Sequence, residues 1–145
     1  MRLLITIYSL LALAAGAWVA SMANAARHET EVVSCSVRVI ALVDALSEID
    51  GSLDVGVNIG EYRSAVTRAS VAYAKVAWKK ESASCVSRVG IFAERALNKY
   101  RAAYSVWSTC IDNLQQSDCT AGSVGEQVQR AWANAHANLQ RAANA

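Results

Sequence analysis

Val86, Val89, Ala93, Ala96, Tyr100, Ala103, Trp107, Cys110 and Leu114 recur every three or four residues, and the chain contains no proline to interrupt them. At 3.6 residues per turn this spacing places all of them on one face of an α-helix. A helix of that length cannot leave such a face in water, so other parts of the chain must cover it. Three more stripes of the same period are present. Val32, Cys35, Val39, Leu42, Leu46, Ile49 and Leu53 form the first. Tyr62, Val66, Ala69, Tyr73 and Val76 form the second, and Val124, Val128, Ala131, Ala135, Leu139 and Ala142 the last. Residues 33–39 also alternate with a period of two and are rich in valine, a strand-like pattern. The continuation through Ala41-Leu42-Val43-Asp44-Ala45-Leu46 is helical, and helix is the reading taken.

The punctuation between the stripes sets the expected helix ends. Asp50-Gly51-Ser52 reads as the stop of the first helix, with Gly56 and Gly60 in the following loop. Asn58 and Glu61 have the spacing of a capping box. The second helix is expected from about Gly60 to Lys80, with Lys79 and Lys80 at its C-terminus, where the helix dipole favours cations. Glu81-Ser82-Ala83-Ser84 offers a turn and a cap, so a break is expected before the third helix. Gln115 to Ser123 is the last connection, and Gly122-Ser123-Val124-Gly125 reads as a helix cap. Short connections pack successive helices antiparallel. The predicted fold is all-α, an up-down-up-down four-helix bundle.

Met1-Arg2, the apolar stretch from Leu3 to Val19 and the small residues Ala23-Asn24-Ala25 have the layout of a secretory signal peptide. Residues 1–25 are therefore read as a leader and residues 26–145 as a single helical domain, exported to the periplasm or the extracellular space. An uncleaved N-terminal anchor is the rival reading of the same stretch. After cleavage no segment long and apolar enough to span a membrane is expected. Export favours disulfides among Cys35, Cys85, Cys110 and Cys119. Zinc knuckles need closely paired cysteines, and these are far apart. In the predicted bundle the starts of helices one and three share an end, so Cys35 is expected to pair with Cys85. Cys110 and Cys119 are expected to pair at the other end.

Catalytic signatures are missing: there is no G-x-S-x-G, no H-E-x-x-H, no phosphate-binding glycine loop and no C-x-x-C-H. His136, beside Trp132 and Leu139, reads as a structural histidine rather than a haem ligand. Cleavage after Ala25 would leave Ala26-Arg27-His28 at the N-terminus. Its amine, two amides and imidazole form a square-planar nitrogen set suited to Cu(II) or Ni(II). The formal net charge is +2, too small for an overall field that would hold nucleic acid. Charge is nevertheless unevenly spread. Asp44, Glu48, Asp50, Asp54 and Glu61 have no base among them, whereas residues 61–101 are strongly basic. Arg68, Lys75 and Lys79 fall on one predicted helix face, as do Arg88, Arg95 and Lys99. Trp78, beside Lys75 and Lys79 and off the main stripe, is a candidate contact residue.

Gly56-Val57-Asn58-Ile59-Gly60-Glu61-Tyr62 and the helical run Tyr100-Arg101-Ala102-Ala103-Tyr104-Ser105-Val106-Trp107 carry a resemblance. Together they resemble a group of small exported bacterial helical proteins with a G-V-x-x-x-x-Y helix entry and a Y-x-x-A-x-x-x-W helix. The resemblance covers less than half of the chain after the leader. It implies a helical fold and an exported location, with Gly56, Tyr62, Tyr100 and Trp107 as packing positions, and it transfers no catalytic residue.

The functional expectation is a non-enzymatic exported module with no cofactor, binding a protein or an anionic envelope component through helices two and three. Its alternative is a small-molecule- or metal-binding bundle. Tight packing of Tyr62, Tyr73, Tyr100, Tyr104 and Trp107, with Trp78 exposed beside the basic stripe, would favour the first, and a void among them the second.

Overall fold

The computed structural model describes residues 33–113 and 121–145, and among them every regular element is helical. Four long helices carry the fold: α1 (Val37–Val55), α2 (Ile59–Lys75), α3 (Ile91–Asp112) and α4 (Ala121–Ala143). Between α2 and α3 lie a 3₁₀ turn (Trp78–Lys80), a short helical turn (Ala83–Cys85) and a π-helical turn (Val86–Gly90) that runs into α3. α1 packs on α2, α2 on α3, and α3 most extensively on α4, which also touches α1.

The stripes are buried much as their spacing predicts. Val39, Leu42, Leu46 and Ile49 of α1 are fully buried, as are Tyr62 and Ala69 of α2. α3 contributes Ala93, Ala96, Leu97, Tyr100 and Ala103, while α4 contributes Val128, Ala135, Leu139 and Ala142. Each large aliphatic side chain buried in this way stabilises the fold by about 1.5–3 kcal/mol. Much of the contact surface is alanine, which lets helix backbones approach closely.

Several helix ends differ from the sequence expectation, each for a local reason. α1 begins at Val37 rather than Val32, because Cys35 is drawn aside into a disulfide and the Ser36 backbone and hydroxyl both donate to Glu81. At its other end α1 runs through Asp50-Gly51-Ser52 to Val55. The Ser52 hydroxyl donates back to the Ile49 carbonyl, and Gly51 in mid-helix costs only about 1 kcal/mol. The helix stops at Gly56, whose φ of 89° suits glycine. A side chain there would meet nothing within 4 Å, so Gly56 serves the backbone turn and not packing.

The capping box at the start of α2 is complete: the Glu61 amide donates to the Asn58 side chain, and the Asn58 amide to the Glu61 carboxylate. α2 ends at Lys75, five residues before the predicted Lys80. The Arg38 guanidinium donates to the Lys75 carbonyl, 3.2 Å away, satisfying one of the free acceptors at that helix end. The predicted break before α3 is present, and the Ser82 hydroxyl accepts from the Cys85 amide as its cap. In α4, residues 122–125 lie inside the helix and do not cap it.

Cys35 and Cys85 form a disulfide with a Cα–Cα distance of 5.3 Å. The second expected pair involves Cys119, which lies outside the described residues, so only one disulfide is described in full. Closing a loop of this size is worth about 2–4 kcal/mol.

The π turn and Gly90 provide the berth of Trp78. A side-chain carbon on Gly90 would lie 2.7 Å from Trp78 Cζ3, closer than packing permits. The indole also packs on Tyr73 at 5.4 Å between ring centres. Gly90→Ala should therefore displace Trp78 and cost about 1–3 kcal/mol by overpacking, more than the ~1 kcal/mol alanine gains in helix propensity. The check is thermal unfolding together with tryptophan emission; an unchanged melting temperature and spectrum would refute this account of the turn. A second check concerns the disulfide: Cys35→Ser with Cys85→Ser should lower stability by about 2–4 kcal/mol in denaturant titration while far-UV circular dichroism stays helical.

Candidate functional site

Two arrangements of side chains stand out, one in the interior and one on the surface. The interior one is centred on Tyr62. Fully buried on α2, its hydroxyl donates to the Tyr100 backbone carbonyl on α3, 3.0 Å away, and accepts from Trp132 Nε1 on α4 at 2.9 Å. Its ring lies 5.9 Å from Trp107 and 5.7 Å from Trp132, which are 6.0 Å from each other. Aromatic pairs of this kind add about 0.5–1.5 kcal/mol each beyond simple burial. Tyr62, Trp107 and Trp132 thus pack in tilted and edge-on contacts, whereas the exposed Trp78 expected of a binding module is not observed, its indole being half-buried.

Tyr100 extends the network to α1. Its hydroxyl donates to Asp50 Oδ1 at 2.8 Å, and Asp50 Oδ2 is paired with His136 Nδ1 on α4 at 2.7 Å. His136 Nε2 lies 3.1 Å from the Gln140 amide. Asp50 thus ties α1 to both α3 and α4, and His136, expected to be a partly buried structural residue, is exposed and joins this network from the surface. Its side chain is 52% exposed and Asp50's 23%, so the pair is screened by water and modest in energy.

Burial is the main reason the Tyr100 phenol is held well above its ordinary pKa of 10.0, and its hydrogen bond to Asp50 raises it further. Burial raises Tyr62 as well, with the Trp132 hydrogen bond opposing part of the effect. Tyr73 is also raised, first by burial and then by the nearby Glu94. In each case the unfolded chain loses its phenolic proton before the folded chain does. The stability these groups contribute is full below about pH 10 and is lost as pH rises through the folded-state values. Spectrophotometric titration should therefore leave the Tyr62 and Tyr100 phenols un-ionised above about pH 10, ionising only as the helices melt. Tyr62→Phe and Tyr100→Phe should each remove part of that late absorbance change. Full tyrosinate absorbance from a chain still helical would contradict the assignment.

The surface arrangement is a groove between α1 and α2. Arg38 and Ala41 of α1 face Thr67, Arg68, Val71, Ala72 and Lys75 of α2 around an open cleft of about 400 Å³. Its floor is aliphatic and its walls carry three cations. Arg68 is paired with Glu48. Arg38 bonds only a neutral carbonyl, and Lys75 has no ion pair among the described residues.

The sequence-predicted basic residues do not form one surface. Arg68 and Lys75 share the groove. Lys79 is exposed on the 3₁₀ turn, off the helix face first assigned to it. Arg88 borders a separate cleft with Phe92 and Arg141, and the guanidinium groups of Arg95 and Arg141 each lie 5.7 Å from the Phe92 ring centre. Lys99 is exposed on α3. Trp78 is half-buried, its Nε1 enclosed without a partner among the described residues, so its indole faces inward rather than toward a partner. Ala26, Arg27 and His28 lie outside the described residues. Among the described residues no three His, Cys, Asp or Glu side chains converge as metal ligands. No helix among them is long and apolar enough to cross a membrane.

Arg38 was not singled out in the sequence. Its spacing from α2 is set by tertiary packing, although its place among exposed Val37, Ile40 and Ala41 was readable. Asp50 and Tyr100 were likewise not read as partners. Comparison with protein-family models, with curated proteins and with solved structures finds no match to this chain.

Proposed function

We propose that this chain is an exported, non-enzymatic helical module that binds an anionic component of the cell envelope. The observation that carries the reading is the α1–α2 groove, where Arg38, Arg68 and Lys75 surround an aliphatic floor. A cleft of this composition suits a ligand with both apolar and anionic parts. The tilted and edge-on contacts of Tyr62, Trp107 and Trp132 support the same reading, because these rings are occupied with one another. The surface proposed here lies between α1 and α2, whereas the sequence expectation put it along helices two and three.

The architecture proposed is an up-down-up-down bundle with a second disulfide between Cys110 and Cys119. Supporting the topology, Cys85 and Cys35 place the starts of α3 and α1 together, while Phe92 near the start of α3 meets Arg141 near the end of α4. Supporting the second disulfide, Cys110 is disulfide-bonded, and Cys35 and Cys85 are already joined to each other. Export is consistent with these cross-links, which persist in oxidising compartments.

The test is retention of the exported protein on isolated envelope fractions. Wild type should bind with an affinity that falls as salt rises, because exposed charges are screened. Arg38→Glu combined with Lys75→Glu should reduce binding at least tenfold (about 1.4 kcal/mol) without lowering the helical signal. Equal retention of the double variant would remove the groove from the function.

A further inference from the structure

We infer that the end of the molecule closed by Cys35–Cys85 docks on the surface of an anionic lipid bilayer, a conclusion that rests on the binding function proposed above and names its ligand. Cations converge at this end from elements distant in sequence. Arg38, in the first turn of α1, reaches the carbonyl that ends α2 at Lys75. Lys79 and Lys80 follow on the 3₁₀ turn, one residue before Glu81, which is bonded to Ser36 in front of α1. Arg38, Lys75, Lys79 and Lys80 are all exposed, and none has an ion pair among the described residues. The one acid between them, Glu81, is drawn toward Ser36.

Aliphatic side chains stand among these cations. Val37 is 79% exposed, Ile40 51% and Val71 47%. Isolated branched aliphatics ringed by lysine and arginine suit the headgroup boundary of a bilayer, where the apolar groups dip in and the cations meet phosphates. Protein-binding hot spots are enriched in Trp and Tyr as well as Arg, and Trp78, the one tryptophan among the described residues at this end, is turned inward against Gly90.

The test uses the protein recovered after export, with its N-terminus read by intact mass and the same in every variant. Co-sedimentation is measured with vesicles of phosphatidylglycerol and phosphatidylcholine, and with phosphatidylcholine alone. Each Lys or Arg near an anionic surface contributes about fivefold to binding. Wild type should prefer the anionic vesicles at least tenfold, and Lys75→Glu with Lys79→Glu should abolish that preference. Ile40→Ser should weaken binding severalfold, whereas Arg63→Glu, at the start of α2, should leave it unchanged. Circular dichroism melting of each variant separates lost binding from lost folding. Absence of vesicle binding, with cation-dependent retention on envelope proteins intact, would overturn the lipid assignment and leave the binding module standing. Absence of both would overturn the two together. Vesicle binding unaffected by the lysine reversals would also overturn the assignment.

Discussion

The hydroxyl of Tyr62 is the point on which the interior depends. Fully buried, it needs both a donor and an acceptor, and it finds them on two other helices: the Trp132 indole on α4 and the Tyr100 carbonyl on α3. A phenol so placed admits only a narrow range of positions for the three helices. Tyr100 passes the constraint on through its own hydroxyl to Asp50, and Asp50 to His136. The alanine-rich contacts elsewhere are smooth and would tolerate sliding. The polar chain from Trp132 to His136 makes one register better than its neighbours.

A second constraint acts at the other end of α2. The disulfide, the Ser36–Glu81 bonds and the Arg38–Lys75 bond all join the start of α1 to the segment between α2 and α3. That segment is irregular because Trp78 must reach the hollow left by Gly90 beside a π-helical turn. The same knot gathers lysines and an arginine that the sequence keeps dozens of residues apart. Surface charge and internal geometry are therefore linked: the cations lie together because the cross-links hold their backbones together.

The stripes were legible because burial in a helical protein follows the 3.6-residue period, and α1 to α4 bury nearly the residues that the period marks. The Asn58–Glu61 cap and the Ser82 break were legible too, since both depend on neighbours in sequence. The end of α2 was not. Lys79 and Lys80 are chemically suited to a helix C-terminus, but the cost of moving Trp78 off Gly90 outweighs that local preference. Nor was the run through Gly51 legible, because the packing of Leu42, Leu46 and Ile49 carries the helix past residues that would stop it in isolation. On the surface, Arg68 and Lys75 were found from their helical spacing, whereas Arg38 lies on another helix and has no sequence signal linking it to them.

Helix content and the amphipathic faces were settled in the sequence itself, because periodicity and capping act over short range, whereas the pairing of Cys35 with Cys85, 50 residues apart, could be expected only through an assumed fold. Tertiary structure alone decided which polar groups meet across helices and which charged residues share a surface. Those outcomes depend on interhelical distance and rotation, and only the packed interior sets them.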